Sequence, residues 1–571
     1  MKSLHQFQKN LEFLSFALAV LSFLFSACSS TSGKYKEYCP APEEIKSNAL
    51  KIEPCEWKDI ENPYADFEFT EKISEEQLEK DLDMLCYLLK TTYAGYEKAC
   101  ERGLDLEILK ENVRNHFEGK EIAVGELFEV LKNELSGKIQ DTHFSINLNY
   151  WVWHFCDDYI VYWSDIFVKK SGNSFEVSEV GENSAKIGIK VGSKYEGDTE
   201  NLFNYSAKGE EIYRIGEISK ARLPSYSQMF KKSDDKINIF PTQEKSLAVP
   251  IGGKTHEILV KSEIPIDLRQ TVRYGEKETE DSAYISLSHF MPPEYDSVYR
   301  KGTDRNFDRF MKAGSKFQNK KNIIVDLRSN GGGSDSYATV FFTLLYMPES
   351  EKLSDKELEL NAYGLWEKIH KDSGLPIFPD IISPATVQIE MIQYEKFYRG
   401  TEEYKMGLEY FKDWNSEQKK SPCRIVYDKM ARINKKSISS KDTIAVPEKS
   451  RFSGKLIIII DRNSASATES FVANAKKIFG AKAIILGENS SGCIEYGNVH
   501  PYRLPESKIE FCISATEFKN YYSTFQNWHG EGFGFYPDVW SCGADLLETL
   551  VNLTGDNSLR EEISNIEWAL Q

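Results

Sequence analysis

The sequence lacks a long hydrophobic segment, an excess of basic residues and paired cysteine motifs. No apolar run in its 571 residues reaches the ~20 residues that a membrane-spanning helix needs. Its 71 basic residues are outnumbered by 88 acidic ones, which argues against a nucleic-acid binder because phosphate binding depends on clustered Lys and Arg. None of the ten cysteines has CxxC spacing, which argues against a structural zinc site.

The composition is that of a folded protein with large cores. Hydrophobic residues make up 41% of the chain and aromatic residues 13%, which excludes disorder throughout. At about 150 residues per domain, the length predicts three or four structural units. A soluble protein of several domains, large enough to be an enzyme, fits these numbers.

The N-terminus has the features of an export signal. Lys2 and Lys9 precede an almost wholly apolar run, Phe13–Phe25, which has the length of a signal-peptide core. Small residues, then Cys28 and a polar stretch follow. This order resembles a bacterial lipoprotein signal, in which Cys28 becomes the lipidated first residue of a chain anchored in the cell envelope, periplasmic or surface-exposed. The alternative is an ordinary secretory signal cleaved near Ala27.

The remaining nine cysteines are compatible with an oxidising compartment. Three pairs have separations that a local disulfide could close: Cys39/Cys55, Cys86/Cys100 and Cys493/Cys512. The cysteines without an obvious mate are Cys156, Cys423 and Cys542. Because nine is an odd number, at least one thiol stays free.

The residue patterns divide the chain into successive segments. In chain order, we predict a signal peptide at 1–27, a tether and arm at 28–70, a helical domain with aromatic strands at 71–164, a β module resembling a degenerate PDZ domain at 165–270, and an α/β domain at 280–571 with an insertion at 349–449.

The α/β domain is predicted from buried strands that alternate with helices. Continuous apolar strands are expected at Asn322–Leu327, Lys455–Ile460 and Ala483–Leu486. Helices are expected at Tyr337–Leu345 and Thr468–Phe479. This alternation predicts parallel strands joined by right-handed crossovers.

Two strand ends carry candidate chemistry. After Lys455–Ile460 the chain turns through small residues into a helix, whose positive end can stabilise an oxyanion. Ser464 and Ser466 lie in this turn, where helix capping is the structural alternative to catalysis. The glycines Gly331–Gly333 follow another strand and match neither G-x-G-x-x-G nor a Walker loop. We therefore interpret them as a second source of oxyanion N–H donors.

The order of the motifs resembles the tail-specific, or C-terminal-processing, serine peptidases. The motifs are YISLSHF, IIVDLRSNGGG, LIIIIDRNSASATE, AIILGE and EGFGFYPD, and they extend over about residues 283–540. The resemblance implies a crotonase-like ββα core, often preceded by a PDZ-like module. It also implies peptidase activity on peptides or proteins without a cofactor or metal. Ser466 becomes the nucleophile, and Ser464 is less favoured.

Two catalytic arrangements occur in the family that the sequence resembles. The Ser–Lys branch has its lysine where Cys493 stands, so this dyad is absent. The Ser–His–Glu branch, which includes the tricorn protease core, takes its histidine from an Asp-x-His segment and its glutamate from a terminal motif. The resemblance to this branch implies His143 as base and Glu531 as the residue that supports it. Gly532 departs from the family's asparagine.

These residue types suit acyl transfer. Histidine can take the serine proton and return it to the leaving amine. The oxyanion would be bound by the N–H of Ala467 and that of Gly331 or Gly332. His500 and His529, near the terminal motif, are alternative bases. A further pair, Asp326 and Arg328, is predicted to be structural.

The leading hypothesis is an exported, membrane-anchored serine endopeptidase. The alternative is a catalytically inactive lipoprotein of the same fold that binds a ligand or acts as a scaffold, because fold does not fix function. The sequence contains no signal for an oligomeric state.

Overall fold

The structure is a computed structural model that describes residues 53–54, 71–148, 151–205, 211–221, 243–262, 274–290, 306–353, 380–382, 425–427, 445–518, 521–543, 545–563 and some positions between 357 and 369. The predicted signal peptide with Cys28, the Cys39/Cys55 pair and Cys423 lie outside the described residues. No helix in the described ranges is long and apolar enough to cross a membrane.

The strands, in chain order, are β1 Glu53–Pro54, β2 Lys72–Ile73, β3 Ile122–Ala123, β4 Ser145–Leu148, β5 Trp151–His154, β6 Asp158–Ser171, β7 Ser174–Val180, β8 Lys194–Tyr195, β9 Leu202–Asn204, β10 Ile212–Ala221, β11 Gln243–Ile251, β12 Lys254–Ser262, β13 Tyr274–Glu278, β14 Ser282–Leu287, β15 Asn322–Asp326, β16 Asp380–Ile382, β17 Ile425–Tyr427, β18 Lys455–Ile460, β19 Ala483–Gly487, β20 Tyr496–Arg503, β21 Glu510–Phe518 and β22 Val539–Trp540. The α-helices are α1 Glu75–Thr91, α2 Tyr96–Glu101, α3 Leu106–Phe117, α4 Val124–Leu135, α5 Glu182–Lys186, α6 Asn306–Lys316, α7 Ser336–Tyr346, α8 Ala467–Phe479, α9 Asp545–Thr554 and α10 Leu559–Glu562.

Helices α1 to α4 form the N-terminal layer where the apolar spacing predicts them. Helix α1 begins with a capping box in which the Ser74 hydroxyl accepts the N–H of Gln77 and the Gln77 side chain accepts the N–H of Ser74. Its buried leucines pack against α3, α4 and strands β4, β20 and β21 in one core. The helical layer is therefore packed directly onto strands from the C-terminal half of the chain.

One sheet contains strands from both the N-terminal and the C-terminal parts of the chain. Strand β21 pairs with β20, with β4 and with β16. The β4 pairing aligns Ser145 with Cys512, so the loop before β4 is brought to the C-terminal half of the chain. Strands β16 and β17, from the predicted insertion, extend the same sheet.

The β module is an antiparallel sheet with the order β12-β11-β8-β7-β6-β10-β9. Strand β6 is continuous from Asp158 to Ser171 and thus crosses position 164, the end predicted for the helical domain. The aromatic residues from Tyr159 onward therefore belong to the sheet of the β module.

The C-terminal half is an α/β domain, as predicted. Its sheet has the order β13-β14-β15-β18-β19-β22, and all neighbours are parallel except β13 with β14. Helices α6, α7 and α8 cover one face and α9 and α10 the other. The parallel register aligns Asp326 with Ile459 and Ile460 with Gly487, so the turns that follow β15, β18 and β19 meet at one edge.

The predicted pairs Cys86/Cys100 and Cys493/Cys512 are wrong, because none of these four cysteines forms a disulfide. The Cys86 thiol faces Leu106 O at 3.9 Å. Cys512 Sγ lies 3.4 Å from Asn147 Nδ2. Cys493 Sγ instead lies 3.4 Å from His143 Nδ1. Tertiary packing turns these thiols away from each other, which sequence separation cannot reveal.

Candidate active site

Ser466 lies at the turn between β18 and α8, with φ +55° and ψ −118°. This left-handed backbone is unusual for a residue other than glycine and indicates a position held by its surroundings. Ser464 has a structural contact instead: its buried hydroxyl donates to Leu327 O at 2.8 Å and accepts the N–H of Asp461 at 3.0 Å. Of the two serines, Ser466 is the one placed at the helix end with a partly exposed side chain.

His143 lies in the loop between α4 and β4, and its Nε2 is 3.2 Å from Ser466 Oγ. The backbone N–H of His143 donates to Asp141 Oδ1 at 2.9 Å, which fixes the loop. His529 instead stacks its ring on Tyr536 with centroids 3.5 Å apart. In the described residues, no other histidine is within hydrogen-bond distance of Ser466 Oγ.

The imidazole of His143 is in an environment that favours its neutral form. Burial lowers the pKa of His143 to about 4, and the charge of His154 contributes in the same direction. A neutral imidazole can accept the proton of a serine hydroxyl, whereas an imidazolium cannot.

Glu531 supports the His143 loop without contacting the imidazole. Its Oε1 accepts the Thr142 hydroxyl at 2.6 Å and the Thr142 N–H at 3.2 Å. Its Oε2 accepts the N–H groups of Ile494 at 3.3 Å and Glu495 at 3.0 Å. Burial and the charge of Asp141 raise the pKa of Glu531 well above its usual range. The carboxylate thus holds the residue beside His143 and the start of β20.

Cys493 occupies the position facing the other ring nitrogen of His143. Its Sγ lies 3.4 Å from His143 Nδ1. Cys493 is buried, and burial raises the pKa of its thiol well above the usual range, so the sulfur is protonated. From the sequence, Cys493 was predicted only as a possible disulfide partner of Cys512 and as the residue in place of the family's lysine.

Glu469 is a buried residue of α8 whose role the sequence reasoning missed. Its Oε2 accepts the N–H of Ser466 at 3.1 Å and that of Cys493 at 2.7 Å, and its Oε1 accepts the N–H of Gly492 at 2.8 Å and the Ser490 hydroxyl. Burial raises the pKa of Glu469 to about 7 despite these donors. The S-x-x-E spacing of a capping box was the available signal.

The glycine loop after β15 lies against Ser466. A side chain at Gly332, where φ is +95°, would bring its Cβ to 2.7 Å from Ala465 O and 2.8 Å from Ser466 Cβ. The N–H of Gly332 donates to Asn330 Oδ1 at 3.0 Å. Among the described residues, no group accepts the N–H of Gly331 or of Ala467.

Gly532, the departure from the family pattern, is required by the local backbone. Its φ is +85°, and a Cβ there would lie 2.4 Å from Asp157 O. Its N–H donates to Gly492 O at 2.7 Å, which connects the Glu531 loop to the Cys493 loop. A side chain is therefore excluded by both conformation and space.

Asp326 and Arg328 form a bidentate ion pair, with Arg328 Nε 2.9 Å and Nη2 2.7 Å from the Asp326 oxygens. The hydroxyl of Tyr284 donates to the same carboxylate at 2.6 Å. This geometry agrees with the structural role expected of the pair.

A comparison with protein-family models matches the part of the chain that contains Ser466 and Glu531. Residues 281–539 match the model of peptidase family S41. This part of the chain is a peptidase S41 domain. The chain is therefore a serine-type peptidase with peptides or proteins as substrates.

A search of solved structures finds matches of low sequence identity. Mature CPAF complexed with lactacystin is 13% identical, with 81% of this chain and 93% of that chain covered and a TM-score of 0.34. The photosystem II D1 C-terminal processing protease is 11% identical, with 85% and 99% covered and a TM-score of 0.31. No curated protein sequence matches the chain.

The β module contacts the S41 domain at the loop that follows β19. Trp163 Nε1 donates to Glu488 Oε1 at 3.2 Å, and Asn489 Nδ2 donates to Tyr159 O at 3.0 Å. The ring of Tyr159 stacks on Phe533 with centroids 3.7 Å apart. The loop that contains Cys493 and the loop that contains Glu531 are thus both packed against the β module.

One group of side chains in the site could in principle hold a divalent cation. Asp141, His143 and Glu531 each place one ligand atom within 4.8 Å of the others. However, Asp141 Oδ1 accepts the His143 N–H, and both oxygens of Glu531 accept protein donors. At Glu531, a cation would have to share or displace the hydrogen bonds from Thr142, Ile494 and Glu495.

Proposed function

We propose that this protein is an exported, membrane-anchored serine endopeptidase that hydrolyses peptide bonds through an acyl-enzyme on Ser466, with His143 as general base. The observation that carries the proposal is the 3.2 Å distance between His143 Nε2 and Ser466 Oγ. A serine hydroxyl needs such a base to become a nucleophile.

In the proposed reaction, Nε2 of His143 takes the hydroxyl proton as Ser466 Oγ attacks the scissile carbonyl carbon. The resulting oxyanion is bound by the N–H groups of Ala467 and Gly331, which have no acceptor in the described residues. The imidazolium then gives its proton to the leaving amine, and the acyl-enzyme forms. In deacylation, His143 Nε2 takes a proton from water as the water oxygen attacks the acyl carbon, and it gives this proton to Ser466 Oγ as the Oγ–acyl bond breaks.

Glu531 is proposed to support this base by holding Thr142, the residue before His143. Glu531 accepts the Thr142 hydroxyl at 2.6 Å and also the backbone N–H of Glu495. These hydrogen bonds restrict the position of the His143 imidazole. Its contribution is one of placement, because its oxygens are used by these donors.

The site is tested by labelling with a serine-reactive fluorophosphonate. We expect the wild type to be labelled and Ser466→Ala to be unlabelled, while His143→Ala and Glu531→Ala remain folded and lose turnover. Equal labelling of the wild type and Ser466→Ala would refute the nucleophile. A folded wild type that neither reacts nor cleaves peptides would favour the ligand-binding alternative.

The envelope location is supported by the basic start, the apolar core and Cys28 in the sequence. In a bacterial host, the full chain should incorporate labelled palmitate and partition into membranes, whereas Cys28→Ala should not incorporate the label. Equal membrane partitioning and labelling of the two chains would refute the lipid anchor.

A further inference from the structure

The imidazole of His143 has a different partner on each side. Its Nε2 faces Ser466 Oγ at 3.2 Å and its Nδ1 faces Cys493 Sγ at 3.4 Å. A neutral imidazole has one N–H donor and one acceptor nitrogen. Nε2 can therefore take the serine proton only when Nδ1 carries the hydrogen and has an acceptor for it.

The carboxylate expected to serve that purpose is engaged elsewhere. Glu531 accepts two donors from Thr142 and the N–H groups of Ile494 and Glu495. In the described part of the chain, Cys493 Sγ is the atom within hydrogen-bond distance of Nδ1. The sulfur therefore stands where a catalytic triad has its carboxylate.

One carboxylate, that of Glu469, holds the backbone of both Cys493 and Ser466. The N–H of Cys493 donates to Glu469 Oε2, the same oxygen that accepts the N–H of Ser466. The side chain of Cys493 is buried, which restricts its rotamers. The distance from the sulfur to the imidazole is thus set by the same carboxylate that positions Ser466.

We propose that Cys493 is a positioning residue whose sulfur accepts the Nδ1–H of His143 and so keeps the Nε2 lone pair directed at Ser466. The inference rests on the proposed function of His143 as base. A thiol sulfur is a weak acceptor without a negative charge. It selects the tautomer and orientation of the ring, and it stabilises the imidazolium less than a carboxylate would.

The test compares Cys493→Ala and Cys493→Ser with Cys512→Ala, a matched control that removes another buried thiol, on β21, away from the imidazole. The tautomer of His143 is read from 15N chemical shifts of histidine-labelled enzyme, with the His143 signals assigned by their loss in His143→Gln. The rate of Ser466 acylation by the fluorophosphonate and the kcat and KM for a peptide are measured alongside.

We expect the wild type and Cys512→Ala to show the Nδ1–H tautomer, and Cys493→Ala to lose this preference. Acylation and kcat should fall by about tenfold or more in Cys493→Ala while KM changes little, because a misdirected base loses part of its contribution. Cys493→Ser, which restores an acceptor, should recover part of both signals.

Unchanged tautomer and rate in Cys493→Ala would overturn the positioning role while leaving the proposed function intact. The proposed function fails separately if His143→Gln is acylated as fast as the wild type. If Cys493→Ala does not fold, the wild type and folded Cys493→Ser still decide the question: the Nδ1–H tautomer in both supports the positioning role, and the Nε2–H tautomer in the wild type overturns it.

Discussion

The carboxylate of Glu469 accepts the backbone N–H of Ser466 at 3.1 Å, and this bond closes the turn in which Ser466 has a φ of +55°. A left-handed conformation costs an L-residue on the order of 1–3 kcal/mol and persists only when its surroundings compensate. The same carboxylate also accepts three donors from the loop that contains Cys493. One buried side chain thus connects the nucleophile to the loop beside the proposed base.

Glu469→Gln should therefore damage both stability and activity. The amide NH2 group replaces one of the two oxygens and so faces either the N–H donors of Ser466 and Cys493 or the donors of Ser490 and Gly492, leaving buried donors unsatisfied at about 1–3 kcal/mol each. We expect a lower urea midpoint and acylation by fluorophosphonate slowed about tenfold or more. Glu548→Gln, which removes an exposed partner of Arg560, is the control and should resemble the wild type. If Glu469→Gln were acylated as fast as the wild type, Glu469 would not be needed to hold Ser466 and the Cys493 loop.

The fold was predicted from the sequence more completely than the site. Buried apolar strands and the helices that follow them are local signals, and the α/β domain contains them within one or two residues of the expected bounds. Helix α6 was missed, and the disulfides predicted for Cys86/Cys100 and Cys493/Cys512 were wrong. Both errors arise because tertiary context, rather than local pattern, decides those features.

The site residues were predicted from motifs, whereas their contacts could not be predicted. The bond from Thr142 to Glu531 joins residues 389 positions apart, and that from Cys493 to His143 joins residues 350 apart. The spacing of residues in a sequence does not predict which carboxylate oxygens already accept hydrogen bonds from other groups. The carboxylate of Glu531 was expected to serve the histidine, and the structure shows it holding the preceding residue.

Gly332→Ala should disrupt the site through close contact. Its Cβ would lie 2.7 Å from Ala465 O and 2.9 Å from Ala467 N, so the turn containing Ser466 must shift. Misplacement by about 1 Å can cost 10²-fold in rate, and we expect a loss of that order in kcat/KM. Gly103→Ala is the matched control, because Gly103 has the same φ of +95° with no atom within 4 Å of the added Cβ. Similar activity losses in both variants would show that backbone strain, and not proximity to Ser466, is responsible.

Gly532→Asn, which restores the residue expected from the family resemblance, should destabilise this protein. The new Cβ would lie 2.4 Å from Asp157 O, and the displaced loop would pull Glu531 from its partners. We expect a lower thermal midpoint and reduced turnover. Gly253→Asn is the control, since its φ of +77° is similar and the space around it is open. A variant as stable and active as the wild type would show that the Glu531 loop does not need glycine here.

The pH at which activity falls on acidification should be far lower than in an enzyme whose histidine base has an ordinary pKa. Burial lowers the pKa of His143 from 6.5 to about 4, with His154 adding to the shift. The other groups at the imidazole are the thiol of Cys493 and the carboxyl groups of Asp141 and Glu531. Burial raises the pKa of Asp141 to about 7, and it raises the pKa of Glu531 and that of the Cys493 thiol well above their usual ranges.

Because the base works only when neutral, a lowered pKa extends activity towards acid: kcat/KM should hold as pH falls through 6.5 and be half lost near pH 4. The measurement is kcat/KM for a peptide, or the acylation rate with the fluorophosphonate, from pH 3.5 to 8 in buffers of constant ionic strength. Circular dichroism at each pH separates loss of the base from unfolding. A limb near pH 6.5 in folded enzyme would mean that a carboxylate stabilises the imidazolium of His143, which would contradict the arrangement in which Cys493 faces Nδ1.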